Sequence, residues 1–113
     1  MHELAIAESI VNIALREIEQ KSITTVQSVG VRIGAISGVN PSALEFSFEA
    51  IIVNTPLSGA KLKVEEIPAG GICRACKTAF EVTEFIFVCP HCFSGDLEIN
   101  QGQELDIAYL ETE

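Results

Sequence analysis

Two short stretches, Cys73-Arg74-Ala75-Cys76 and Cys89-Pro90-His91-Cys92, decide the fold of the second half of this 113-residue chain. Each stretch is a C-x₂-C turn, or knuckle, and twelve residues separate the two. Four sulfurs in two such turns can converge on one tetrahedral ion, and a closed four-cysteine site is the usual structural arrangement for zinc. The spacing therefore predicts a zinc site whose ligands are Cys73, Cys76, Cys89 and Cys92.

The residues around the knuckles bear on which metal is bound and how the module folds. A rubredoxin-like iron site has a similar spacing, but that family usually has glycine after the second cysteine of each knuckle, where Lys77 and Phe93 stand here. Zinc is therefore favoured over iron. A group of apolar residues between the knuckles is expected to cover the small module: Phe80, Phe85, Ile86 and Phe87. For His91 the spacing favours an exposed turn residue, and ligand exchange or a pH-sensing role stays open.

Composition narrows the function classes. The chain has 48% apolar residues, enough for a core, and seven basic against sixteen acidic residues give a net charge of −9. Such a charge disfavours nucleic acid and anionic membrane and suits cations or a basic protein partner. No apolar run is long enough to suggest a membrane span, and the acidic start resembles no signal peptide. We therefore expect a cytoplasmic protein, in which knuckle cysteines bind metal rather than form disulfides.

Working outward, the flanking sequence alternates helical and strand patterns. Steps of three and four predict a first helix over residues 4–20, and a period of two predicts strands over 25–36, 61–65 and 104–110. Asn40-Pro41 predicts the capped start of a second helix. The apolar faces expected to be buried are Leu4, Ala7, Ile10, Val11, Ala14, Leu15 and Ile18 in the first helix, Leu44, Phe48, Ile51 and Ile52 in the second, and Leu105, Ile107 and Tyr109 in the last strand.

These elements predict an α+β fold: two helices on one face of a three-stranded mixed sheet, with an inserted Cys₄ zinc-ribbon module. The strand–helix–strand order favours a parallel pair of the first two strands. Because the zinc segment leaves after the second strand and returns into the third, we expect those two strands to be antiparallel neighbours. The predicted domains are residues 1–68 with 102–113 and, between them, the zinc-binding residues 69–101. Gly30 and Gly34 are expected to allow close approach of a helix or another chain.

The first three residues, Met1, His2 and Glu3, form a weaker signal. Judged by composition alone, a histidine near a chain end is usually solvated and has no functional role. Its position nevertheless allows the Met1 α-amine, the His2 backbone nitrogen and a His2 ring nitrogen to form adjoining chelate rings, and nitrogen donors in a plane suit Ni(II) or Cu(II). Glu3 is placed to supply an oxygen ligand or to orient the ring.

Taken in order, the motifs resemble the HypA/HybF family of hydrogenase nickel-incorporation proteins along the whole chain. The resemblance is carried by Met1-His2-Glu3-Leu4, by the run from Val31 to Val39, by the paired knuckles and by Gly102-Gln103-Glu104-Leu105. One departure is Phe93, where a glycine is common in the family.

The resemblance implies a nickel metallochaperone rather than an enzyme. It implies labile Ni(II) at Met1 and His2 with Glu3 adjacent, structural Zn(II) at the four cysteines, and delivery of nickel to the large-subunit precursor of nickel–iron hydrogenase. The implied partners are a HypB-type GTPase and, in some members, urease maturation proteins. A monomer and a weak homodimer both stay open.

Two other classes of protein remain as alternatives. One is a zinc-ribbon protein-interaction module without nickel function, and the other is a rubredoxin-like electron carrier. Nickel affinity indifferent to His2 favours the first, and red colour with a reversible one-electron couple favours the second. The residues do not reveal the nickel geometry or which hydrogenase is served.

Overall fold

A computed structural model describes residues 3–82 and 86–112, which form two helices and two three-stranded sheets. The helices are α1 (Glu3–Gln20) and α2 (Pro41–Ile51). The strands are β1 (Val26–Gly34), β2 (Lys61–Ile67), β3 (Gly70–Cys73), β4 (Ala79–Glu81), β5 (Leu97–Gln101) and β6 (Leu105–Thr112). The predicted α+β class with two helices and a mixed sheet is confirmed.

Both helices bury the faces that their periodicity predicted, with one exception. Ala7, Ile10, Val11 and Ala14 of α1 are buried, whereas Leu4 is half exposed. The prediction for Leu4 is wrong because the first turn of α1 meets the start of α2 through Glu3, whose carboxylate accepts the Asn40 N–H. Within the described residues, neither helix is long and apolar enough to cross a membrane.

Helix α2 begins as the Asn40-Pro41 pair predicted. The Asn40 side chain accepts the Ala43 N–H at 3.1 Å and so caps one of the free donors of the first turn. Leu44 and Phe48 are fully buried in the same core as α1. The helix therefore covers the first sheet beside α1 and fixes the loop that precedes Asn40.

The first sheet has the order β2-β1-β6. The parallel pairing of β1 and β2 is confirmed. The prediction that the last strand lies beside β2 is wrong, because β6 pairs antiparallel with β1 instead. The physical reason is burial: Val29, Val31 and Ile33 of β1 are 0–2% exposed, so the most apolar strand lies at the centre. β2, with exposed Lys61, stays at an edge, where charge is tolerated.

An irregularity in the β1–β6 register moves Tyr109 to the other face of the sheet. The register shifts between Gly30 and Val31, which pair with Tyr109 and Ile107 respectively. Ile107 packs against the core, while the Tyr109 ring lies over Gly30 and would collide with a Cβ there. The prediction that Tyr109 shares a face with Ile107 is therefore wrong. The gap at Gly30, expected to admit a helix or a second chain, is filled by this ring.

The second close glycine contact joins the two sheets. A Cβ at Gly34 would lie 2.0 Å from the Gly102 carbonyl group, so backbone meets backbone at this point. The Gly34 N–H donates to the Glu104 carbonyl and the Ile36 N–H to the Gly102 carbonyl, both at 2.8 Å. Close packing thus fixes the return of the chain into β6.

The second sheet, of order β4-β3-β5, is antiparallel and is built wholly from residues 70–101. Its hairpin, β3–β4, encloses the first knuckle, and β5 follows the second. Phe80 is buried as predicted, but Ile86 and Phe87 are 57% and 41% exposed, and Phe85 lies outside the described residues. Among the described residues of this region, few apolar side chains are buried, so the second sheet has little apolar core of its own. The division into two domains stays a prediction.

Candidate metal centre

The four cysteines converge at one end of the second sheet. Their Sγ atoms all lie within 4.8 Å of one another, and the two pairs that cross between the knuckles are Cys73–Cys92 at 3.5 Å and Cys76–Cys89 at 3.7 Å. A tetrahedral zinc with Zn–S bonds of about 2.3 Å requires sulfurs about 3.8 Å apart. The observed spacing therefore fits a four-cysteine zinc site.

The two knuckles share one backbone geometry. In each, the residue after the second cysteine donates its N–H to the carbonyl of the first: Lys77 to Cys73 and Phe93 to Cys89, both at 2.8 Å. Both donors adopt positive φ, 64° at Lys77 and 62° at Phe93. This is the left-handed conformation that glycine adopts most readily, which explains why related knuckles favour glycine there. The turn forms here despite two bulky side chains.

Backbone N–H groups point at the buried sulfurs. Cys73 Sγ accepts the Cys76 N–H at 3.5 Å, and Cys89 Sγ accepts the N–H groups of His91 at 3.3 Å and Cys92 at 3.5 Å. Such donors stabilise thiolates and so favour the metal-binding form. His91 takes part through its backbone; among the described residues, the cluster of potential ligands contains no histidine.

Without a metal, the sulfurs cannot all be ionised together. Hydrogen bonds from the side chain and backbone of Thr78 lower the pKa of Cys76 to about 6. The Ser94 backbone N–H acts in the same direction on Cys92, but hydrogen bonds with Cys73 and the other cysteines, together with burial, raise the pKa of Cys92 to about 12. A divalent cation removes this conflict, and its binding displaces the remaining thiol protons.

The predicted nickel ligands lie at the other end of the chain. Met1 and His2 fall outside the described residues, so their chelate stays a prediction. Glu3 begins α1, and its carboxylate oxygen accepts the Asn40 backbone N–H at 3.0 Å. Because Asn40 also caps α2, this contact ties the two helix starts together. Glu3 thus anchors the first turn of α1 to the start of α2.

Sequence reasoning found the four cysteines but missed their supporting partners. Nothing in the order of residues indicated that Glu3 reaches Asn40, 37 residues away. No sequence motif indicated a role for Thr78 or Ser94 either, although both lower the pKa of a nearby cysteine. The one available signal was their position: each stands two residues after the second cysteine of its knuckle.

Comparison with known proteins gives one consistent result. A family model described as "Hydrogenase/urease nickel incorporation, metallochaperone, hypA" matches residues 1–112. A hydrogenase maturation factor HypA from Chloroflexus aggregans is 43% identical over 115 residues, with 99% of each chain covered. HypA 2 from Bradyrhizobium diazoefficiens is 36% identical over 113 residues, with 100% of each chain covered.

Solved structures share the fold. A solution structure of HypA protein superposes with a TM-score of 0.73 at 23% identity, covering 100% of this chain and 97% of the other. The solution structure of the Ni metallochaperone HypA from Helicobacter pylori superposes with a TM-score of 0.68 at 24% identity, covering 99% and 97%. At this identity the likeness concerns the fold.

Proposed function

Because this chain belongs to the HypA family of nickel-incorporation metallochaperones, we propose that it binds Ni(II) at its N-terminus and delivers it to a nickel–iron hydrogenase precursor. The observation that carries the proposal is the family match, which begins at Met1 and runs to residue 112. The nickel ligands we propose are the Met1 α-amine and the backbone and ring nitrogens of His2. Nickel is cargo in this account, whereas zinc at the four cysteines is resident.

The chemistry of a terminal chelate suits delivery. An amine, an amide nitrogen and an imidazole form adjoining rings around a planar ion, and all three must lose or lack a proton to bind. Three nitrogen donors from one short segment leave part of the coordination shell to other ligands, so an incoming ligand can replace these donors one at a time. Glu3, held by Asn40, contributes by positioning the chelate or by lending a carboxylate oxygen.

The four-cysteine site has the opposite task. Four thiolates complete a tetrahedral shell, which leaves no position for water or substrate. Hydrolysis at this ion is therefore excluded by coordination number, and we propose that the protein has no catalytic activity. Zinc here would contribute on the order of 10 kcal/mol to folding of the module.

The proposed partners follow from the family. They are a HypB-type GTPase, the hydrogenase large-subunit precursor and, as the family description includes urease, urease maturation proteins. The proposed location is the cytoplasm. A net charge of −9 agrees with partners that are proteins or cations rather than nucleic acid.

Nickel titration by calorimetry on zinc-loaded protein with its native N-terminus tests the proposal. The chain has two histidines, so His91→Ala is a matched control for His2→Ala. We expect one nickel site in the wild type and in His91→Ala. We expect that site to be lost in His2→Ala and in a variant with one residue added before Met1, while all four proteins keep zinc.

Other results would favour the other classes of protein. Nickel binding that survives both N-terminal changes would contradict the terminal chelate, and absence of nickel binding would leave a zinc-stabilised interaction module. A red, redox-active protein purified with iron would indicate a rubredoxin-like carrier. Lys77 and Phe93 adopt the left-handed conformation that glycine favours, so their identity does not exclude such a turn, and metal analysis separates these cases.

A further inference from the structure

An apolar groove runs between α1 and β6. It consists of two adjoining hollows of about 180 and 500 Å³, and Ile13 and Ile107 border both. Ile13 is 43% exposed although it is a large apolar residue, and Leu105 along the same groove is 40% exposed. A groove of this kind loses unfavourable contact with water when a partner fills it.

The groove lies beside a free strand edge. β6 is the last strand in the order β2-β1-β6, and no other strand of residues 3–82 and 86–112 pairs with its outer side. Its eight residues are long enough to pair with an extended chain. Backbone N–H and C=O groups on such an edge select an extended segment rather than a helix.

Charge selects among extended segments. Asp106 lines the first hollow and is the acidic group that acts on a partner there. Glu17 and Lys21 both line the second hollow and are ion-paired at 2.9 Å, so their charges cancel. The whole chain carries a net charge of −9. A second copy would bring the same acidic strand to the edge and be repelled, whereas a basic segment is attracted.

We propose that the outer edge of β6 and the groove beside it form a docking surface for an extended segment of another protein that alternates Lys or Arg with β-branched apolar residues. The segment adds a fourth strand to the first sheet and places its apolar side chains beside Ile13. The other free edge, β2, carries Lys61, Lys63, Glu65 and Glu66, whose charges cancel, so it offers a basic segment less attraction than β6, whose charged side chains are acidic. No groove residue is a proposed metal ligand, so this docking is independent of the nickel site.

The probe is an acetylated eight-residue peptide of alternating lysine and valine, added to zinc-loaded, ¹⁵N-labelled full-length protein and followed by NMR. We expect saturable shifts in the amides of residues 105–112 and of Ile13. A version methylated on every backbone nitrogen tests strand pairing, because it keeps the charges and side chains but has no N–H to donate. A version with glutamate for lysine tests charge. Both altered peptides are expected to bind at least tenfold more weakly.

Matched protein variants locate the site. Ile13→Glu is expected to weaken the lysine–valine peptide at least tenfold, since it places a charge where an apolar anchor is lost. Val53→Glu, at another exposed apolar position in the turn after α2, is expected to leave binding unchanged. Because both side chains are exposed, we expect both variants to fold, and thermal melting checks this.

Several results would overturn the proposal. If the amides of residues 105–112 do not shift, the outer edge of β6 is not the docking surface. Equal binding of the methylated peptide would mean general attraction of positive charge rather than strand pairing. Concentration-dependent dimers in sedimentation that are abolished by Ile13→Glu would assign the groove to a second copy of this chain.

Discussion

The two sheets of this molecule are stabilised by different means. The first sheet packs against both helices through a cluster of fourteen buried apolar residues, none of which comes from residues 69–101. Within residues 69–82 and 86–101, the buried hydrophobic residues are Ala69, Phe80 and two of the candidate metal ligands, Cys73 and Cys89. The first region is thus stabilised by the hydrophobic effect, and we propose that the second depends on a metal ion held by the cysteines. This difference predicts that each sheet can unfold while the other stays folded.

Removing zinc is expected to have the largest effect. With a strong chelator, or in Cys73→Ser, the second sheet loses on the order of 10 kcal/mol of stabilisation and unfolds. Amide protection measured by hydrogen exchange should disappear for residues 70–101 and persist in β1. Backbone contacts at Gly34 and Gly102 join the sheets and could transmit unfolding from one to the other. Simultaneous loss of protection in both sheets would therefore contradict independent unfolding and the predicted domain boundaries.

A core truncation is the reciprocal test. Phe48 is fully buried and Phe46, two residues away on α2, is 72% exposed. Phe48→Ala is expected to cost about 3–5 kcal/mol of stability in urea unfolding, because it leaves a cavity that the core cannot close. Phe46→Ala should cost little. Zinc affinity should be unchanged in both, and a large loss of zinc affinity in Phe48→Ala would show that the second sheet depends on the core of the first.

The positive φ of Phe93 predicts that glycine at this position relieves backbone strain in the second knuckle. Phe93 holds φ at 62° with its side chain 77% exposed, so little packing is lost when it is shortened. Phe93→Gly should stabilise the zinc-loaded module by about 0.5–1 kcal/mol, after allowing for the greater freedom of glycine in the unfolded chain. Competition with a chelator measures the gain in zinc affinity. Phe93→Ala keeps the strain and should show no gain, and an equal gain in both variants would contradict this explanation.

The smallest expected effect is a pH dependence in the first sheet. Glu111 accepts hydrogen bonds from Ser28 and Lys63, at 2.6 and 3.0 Å, and these lower the pKa of Glu111 below its ordinary 4.5. A carboxylate with a lowered pKa adds stability above its unfolded-state pKa, and that stability disappears as the pH falls through the folded-state value. Glu111→Gln should therefore be slightly less stable than wild type at neutral pH and equal to it in acid. Urea denaturation from neutral to acidic pH measures the difference in unfolding free energy between the two proteins. A difference that grows as the pH falls would contradict this prediction.

The sequence predicted those features that depend on local pattern. Helical periodicity predicted α1, the Asn40-Pro41 pair predicted the start of α2, and the cysteine spacing predicted that the four cysteines converge, because each signal lies within a few residues. Order along the chain also predicted the parallel β1–β2 pair. The resemblance also predicted the family of nickel-incorporation metallochaperones, which the family match confirms.

Features that depend on distant contacts were missed or wrong. The position of β6 depends on which strand is most buried, and that is decided by the whole core rather than by chain order. The shift of Tyr109 depends on a register irregularity opposite Gly30, which alternation cannot reveal. The contact of Glu3 with Asn40 requires both helix starts to be in place.

The central claim is that this protein holds two metals at two separate sites, one closed and one exchangeable. The most direct test loads the protein with one zinc and one nickel, adds excess EDTA at neutral pH, and follows both ions by native mass spectrometry and optical absorption. The account predicts that nickel leaves first, that zinc remains, and that no thiolate-to-nickel charge-transfer band is present at any stage. Displacement of zinc by nickel at the cysteines, or loss of both ions at the same rate, would contradict it.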